Sequence, residues 1–227
     1  MEALILDLLH ENWGEDQALV NRLLESPYYP ALEQMLRELR RDALFESRVH
    51  GPGHIERTLC HGAFCALEDN LNPEDTRLLL FACAYHDVGR QDDKPDDLHG
   101  HRSAQRIPEL TGLTGEGCTL VQAAVDAHAR NDDLLVATVK GYKPENMKRA
   151  LRLAELLKDA DGLDRVRIWD LDPAYLRREG SRERCAFAKE LFRRWQERTG
   201  GDFVMDFVRK WKHLDQFGNP VSQRDAK

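Results

Sequence analysis

The chain has 227 residues, enough for one generous domain and a substantial core. A net charge of -7 argues against a nucleic-acid polymer as the main partner, and no stretch reaches the roughly 20 apolar residues that span a membrane. Hydrophobic residues at 41% and charged residues at 32% are an ordinary soluble balance, and abundant Ala, Leu, Arg and Glu favour helix over strand. Met1 to Glu11 carries three acids (Glu2, Asp7 and Glu11) and no Lys or Arg, so it does not read as a secretory signal, and the expected compartment is the cytoplasm. Cys60, Cys65, Cys83, Cys118 and Cys185 are odd in number and lack zinc-ribbon spacing, so they read as reduced core residues.

In chain order the apolar spacing predicts an all-α protein. Met1 to His10 places Leu4, Ile5, Leu8 and Leu9 on one face. A second helix, Asp16 to Glu25, stops before Ser26-Pro27, and a third covers Ala31 to Glu46. His50-Gly51-Pro52-Gly53 forces a turn, and a helix from His54 to about Asn70 presents His54, Thr58, His61 and Cys65 on one face. Asn72-Pro73-Glu74 is a start signal for the helix that ends at His86-Asp87.

Asp92 to Asp97 reads as a solvated acidic loop. Short helices follow at Gly100 to Leu110 and Gly117 to Ala129. Leu134 to Val139 has strand-like content but no strand partner elsewhere, so it reads as a short helix. Pro144 opens a helix to Asp161. Ser181 to Arg198 and Asp202 to Gln216 close the chain, with apolar stripes (Phe187, Leu191, Trp195; Phe203, Phe207, Trp211) that read as packing faces. Residues from Gly218 onward read as a frayed end. The expected organisation is one domain over residues 1–227, with a core at about 50–167 and flanking helices at 1–49 and 181–216.

Chemistry concentrates in Tyr85-His86-Asp87-Val88-Gly89-Arg90. An imidazole and a carboxylate stand together at the end of the apolar run Leu78 to Ala84, where an ionisable pair is costly unless matched by charge or metal. His54, His99, His128 and Asp161 sit on, or at the end of, four other predicted helices. Helical bundles build metal sites from such inward-facing side chains. The imidazole and carboxylate set suits Mn, Fe, Co, Ni or Zn better than Mg or Ca. His50, His61 and His101 are close enough in sequence to be mistaken for the chosen histidines.

From about His50 to Arg167 the chain resembles the HD superfamily of metal-dependent phosphohydrolases. His54-Ile55-Glu56-Arg57 resembles the first His of that family, His86-Asp87 the signature pair, and Asp161, within Lys158-Asp159-Ala160-Asp161-Gly162-Leu163-Asp164, the last ligand. His99 and His128 match the two further histidines of members that bind two metals. The resemblance implies an HD-type helical bundle and about two divalent transition-metal ions per chain. One ion would take His54, His86, Asp87 and Asp161; the second would share Asp87 and add His99 and His128. Two ions roughly 3.5–4 Å apart would hold a bridging hydroxide for attack on phosphorus.

Asp87 and Arg90 are the expected catalytic residues, Arg90 as a substrate-binding phosphate clamp. Arg57 and Arg165 are expected to support the ligand carboxylates. The expected substrate is a nucleotide or another small phosphorylated metabolite. Gly89-Arg90 stands where the alarmone-hydrolysing subgroup has Glu-Asp, and no Gly-Tyr-Pro motif of the cyclic-di-GMP phosphodiesterases is present. The same six ligands would also serve a di-iron oxygenase of this superfamily, and the fold alone would serve a non-catalytic nucleotide binder.

Overall fold

The structure, a computed structural model, describes residues 3–200. It is all-α among those residues, with eleven α-helices and no strand. Three short helices come first: α1 (Leu4–Leu9), α2 (Gln17–Leu24) and α3 (Tyr28–Glu38). The core elements are α4 (Pro52–Glu68), α5 (Pro73–Tyr85), α6 (His99–Thr111), α7 (Gly115–His128), α8 (Asp132–Gly141) and α9 (Met147–Leu163). Two more, α10 (Glu179–Glu183) and α11 (Cys185–Thr199), end the described chain. No helix among the described residues is long and apolar enough to cross a membrane.

Local chemistry fixes the boundaries. Asn72 caps α5 by accepting the Asp75 N–H at 2.8 Å; Pro73 follows at the first helical position, and Glu74 and Asp75 complement the positive helix end. The long helix expected from Pro144 starts later. Asn146 caps α9 by accepting from the Arg149 N–H at 3.0 Å, and Lys143 just before takes a left-handed φ of 54°.

The helix expected over Ala31–Glu46 is displaced. It begins at Tyr28 behind Pro27 and stops at Glu38, and a 3₁₀ turn over Arg41–Ala43 follows. Leu39 turns extended there, and the Arg40 N–H donates to the Tyr85 hydroxyl instead of continuing the helix. The helix expected over Ser181–Arg198 is split at Arg184 into α10 and α11. Leu134 to Val139 lies within helix α8, not in a strand. The helix expected over Asp202–Gln216 and the fraying from Gly218 lie outside the described residues.

Helix α4 is buried on nearly every side, from His54 to Ala66, and packs against α3, α5 and α9. Helix α7 lies against α6, α8 and α9. One contiguous apolar cluster runs from Ala3, just before α1, to Leu191 in α11. Phe187 anchors α11 in it, with its ring 4.9 Å from Trp13 and 5.1 Å from Phe64. Truncating such a buried aromatic costs about 3–5 kcal/mol. Cys60, Cys65, Cys83 and Cys118 are buried, Cys185 is half-buried, and all five are free thiols.

Candidate metal centre

Five helix ends and one inter-helix turn converge on a single point. His54 sits in the first turn of α4, His86 caps the C-terminus of α5, and Asp87 follows it directly. His99 opens α6, His128 ends α7, and Asp161 lies in the last turn of α9. Burial of the apolar faces behind them brings these ends together.

Gly89 has a specific part in this. A Cβ there would come within 2.4 Å of the Ser103 nitrogen and 2.6 Å of the His99 carbonyl oxygen. The backbone after Asp87 therefore lies directly on the first turns of α6. Gly89 donates to Ser103 Oγ at 2.8 Å and accepts from Arg102 at 2.8 Å. The helix break after His86-Asp87 is thus also a close approach that places Asp87 beside His99.

The Asp87 carboxylate separates two groups of donors. Its Oδ2 faces His54 Nε2 at 3.6 Å and His86 Nε2 at 3.7 Å. Its Oδ1 faces His99 Nε2 at 3.1 Å and His128 Nε2 at 3.7 Å. Asp161 Oδ1 joins the first group, 3.4 Å from His54 Nε2 and 3.8 Å from His86 Nε2. All six residues of the expected ligand set therefore lie together.

The opposite ring edges settle the tautomers. His54 Nδ1 lies 2.7 Å from Asp164 Oδ2, and His86 Nδ1 lies 2.9 Å from the Cys83 carbonyl. His99 Nδ1 bonds the Asp96 carbonyl, and His128 Nδ1 bonds that of Val125 at 2.5 Å. Carbonyls and carboxylates only accept, so each Nδ1 carries the hydrogen and each Nε2 presents a lone pair. Yet His54 and His86 approach Nε2 to Nε2 at 3.0 Å, as do His99 and His128. Two lone pairs at that distance repel. Four lone pairs and two carboxylates aimed at one space form a site that a divalent cation fits.

Protonation supports that fit. Burial, with the Arg167 guanidinium and the His86 imidazole, holds His54 well below its ordinary value. Burial pushes His128 down to about 4 against the pull of Asp87. Burial opposes ionisation of Asp87, but His86, His128, His99 and Arg90 outweigh it and hold the carboxyl well below the usual range. Asp161 is lowered in the same way, with burial outweighed by His86, His54 and Arg167. At neutral pH His54 and His128 stand as neutral imidazoles and Asp87 and Asp161 as carboxylates, the forms that bind metal.

A model of the HD domain matches residues 53–166. The chain belongs to the HD-domain family. Members of this all-α family are metal-dependent hydrolases that bind divalent ions, and the matched segment holds all six converging residues. No curated protein and no solved structure matches the chain.

The other expected residues of the HD segment find different places. Arg90 Nε bonds Asp87 Oδ1 at 2.9 Å, and its Nη1 lies 3.4 Å from the Lys94 carbonyl. Arg57 supports a carboxylate, but that of Asp164, through Nε at 2.6 Å and Nη2 at 2.9 Å. Arg165 does not support the site; it pairs with Asp170 at the surface, because its position on the 3₁₀ turn after α9 points it outward. His50 pairs with Asp93, His101 pairs with Asp126, and His61 is buried without a polar partner among the described residues. None of the three joins the cluster. The acidic loop is partly tied down, since Asp93 accepts from Ser47 at 2.6 Å and Asp96 pairs with Arg102.

Three contributors escaped the sequence reading. Asp164 orients His54. Buried Arg167 lies 3.9 Å from Asp161 and donates to the carbonyls of Asp164 at 3.0 Å and Val49 at 2.8 Å. Lys158 donates to the carbonyls of Ala127, His128 and Arg130 at the end of α7. Lys158 and Asp164 stand three before and three after Asp161, a helical-neighbour spacing that was the available signal; Arg167, on the 3₁₀ turn beyond α9, carried none.

Beyond His128 and Asp161 a cleft of about 760 Å³ opens. Arg130, Arg165, Arg177 and Tyr175 line it together with Asp132 and Asp170.

Proposed function

We propose that this HD-domain protein is a phosphohydrolase that holds two divalent transition-metal ions across Asp87 and cleaves a nucleotide or other small phosphorylated metabolite. The division of the Asp87 carboxylate carries this reading. Each oxygen faces its own pair of imidazole nitrogens, the disposition expected of a shared bridging ligand. His54, His86, Asp87 and Asp161 would hold one ion, and Asp87, His99 and His128 the other. These overlap the His/Asp groups whose ligand atoms lie within 4.8 Å of one another. Nitrogen and oxygen donors without thiolate favour Mn, Fe, Co, Ni or Zn.

Bound ions supply a water of lowered pKa and polarise phosphoryl oxygens. The chain's own residues position and balance charge. Asp164 and the backbone carbonyls hold the four imidazoles in their ligating tautomer. Arg90 fixes Asp87 through Nε, and its Nη2, without a partner among the described residues, is the donor for a phosphoryl oxygen. The cleft beside His128 and Asp161 has the volume of a small-molecule site, and Arg130, Arg165 and Arg177 line it, each paired with an aspartate.

The test is phosphate release from a panel of nucleotides and phosphorylated metabolites, using Mn-, Fe- and Co-loaded protein with His86→Ala as the blank. Turnover by the wild type alone supports the reading. Metal-loaded wild type that consumes oxygen and releases no phosphate would replace it with the oxygenase alternative.

A further inference from the structure

Asp164 is fully buried and belongs to neither donor group of the metal centre. Its Oδ2 takes the His54 Nδ1–H, and the Arg57 fork grips both oxygens. A buried carboxylate survives only when its charge and lone pairs are matched, so removing the fork would leave Asp164 with only His54 and the more distant Arg167, 3.7 Å from its Oδ2, to hold it. Arg57 is held in turn from one side. Its guanidinium carbon lies 5.1 Å from the Phe192 ring centroid and 5.1 Å from that of Trp195.

Both rings belong to α11, which lies wholly beyond the matched HD segment. Trp195 also reaches the residue before His54: a Cβ on Gly53 would meet its indole at 3.2 Å. The C-terminal helix thus presses on the first turn of α4 and on the arginine that locks the histidine's partner.

We propose that Asp164 is a positioning residue for His54 and that helix α11 sets the metal affinity of the centre by clamping Arg57 through Phe192 and Trp195. This rests on the metal-site reading above. The route runs from Trp195 through Arg57 and Asp164 to His54. Loosening the ring clamp lets the Arg57 fork swing, Asp164 loses its fixed orientation, and the His54 imidazole loses the acceptor that keeps Nε2 free.

The experiment measures Co²⁺ affinity of the full chain by chelator competition. Trp195→Leu should bind Co²⁺ about 10-fold more weakly, and Asp164→Asn about 10–100-fold more weakly. The double variant should lose no more than Asp164→Asn alone, because both act on one chain of contacts. Trp195→Phe, which keeps a ring face over Arg57, should recover most of the affinity. Leu32→Ala, a core change in α3, controls for lost stability and should leave affinity unchanged. Wild-type affinity in Trp195→Leu, or an equal loss in Leu32→Ala, overturns the proposal while the metal site stands. A wild type that binds no Co²⁺ overturns both.

Discussion

Arg90 Nε donates to Asp87 Oδ1 at 2.9 Å, on the side of the carboxylate that faces His99 and His128. The arginine expected only to clamp substrate therefore first holds the central carboxylate. Arg90→Met removes a charge-assisted bond and the donor proposed for a phosphoryl oxygen, and should lower kcat by about 100-fold while metal content persists. Arg90→Lys should recover only part, because an ammonium cannot reproduce the fork. Phosphate-release kinetics alongside elemental analysis will read both. Undiminished kcat in Arg90→Met would remove Arg90 from the mechanism.

The two faces of Asp87 predict separable ions. His99→Ala leaves His54, His86 and Asp161 intact, so elemental analysis should fall from about two ions per chain to about one. Asp87→Ala touches both groups and should abolish activity. His101→Ala should keep both ions, since His101 bonds Asp126 away from the cluster. If His101→Ala loses an ion and His99→Ala does not, the second group has been misassigned.

The six converging residues could be read in the sequence because each is a strong metal-binding type placed at a helix end, and helix ends are marked by signals such as Asn72-Pro73. The helical class was equally open, since Leu78 to Ala84 and Leu120 to Ala127 admit little else. What lay behind the ligands was not. Asp164 and Arg57 are 107 residues apart, and no local pattern says that they meet. Arg165 and Arg167 are alike as letters, yet one faces solvent and the other is buried beside Asp161. The end of α3 depends on the Tyr85 hydroxyl, 45 residues away. Long-range contacts decided each of these.

Metal should also stabilise the fold. Opposed Nε2 lone pairs at 3.0 Å in two histidine pairs, with two ionised carboxylates, make the site repulsive without a cation. A ligand at 1,000 times its Kd adds about 4 kcal/mol. For a chain of this size that corresponds to a rise in Tm of roughly 10 °C. Thermal melts after exhaustive chelation, with and without added Mn²⁺, measure it. An unchanged Tm would argue against specific binding.

Lys158 ties α9 to the end of α7. Its ammonium reaches the carbonyls of Ala127 at 3.2 Å, His128 at 3.2 Å and Arg130 at 2.6 Å, at the end of a helix where carbonyls lack intrahelical partners. Burial lowers the lysine's pKa, so its charge is retained against a desolvation cost. Lys158→Met fills similar space but strands the carbonyls of His128 and Arg130, and should cost about 3 kcal/mol in urea unfolding. The same variant should weaken the ion held by His99 and His128 more than its neighbour. A variant as stable as the wild type would show that water satisfies these carbonyls equally well.

His61 should make the protein sensitive to acid. Its ring is fully buried, neither nitrogen has a partner among the described residues, and burial pushes its pKa from 6.5 down to about 3. Between those values the unfolded chain binds a proton at His61 and the folded chain does not. Stability therefore falls as pH drops below 6.5 and stops falling on this account only near 3. At pH 5 the loss from this residue is about 2 kcal/mol. His61→Leu removes both the titration and two unsatisfied buried nitrogens. It should match or exceed wild-type stability at pH 7 and exceed it by about 2 kcal/mol more at pH 5. Urea unfolding of the metal-loaded proteins at the two pH values measures the difference, and identical pH slopes would mean that His61 gains a proton in the folded chain as readily as in the unfolded one.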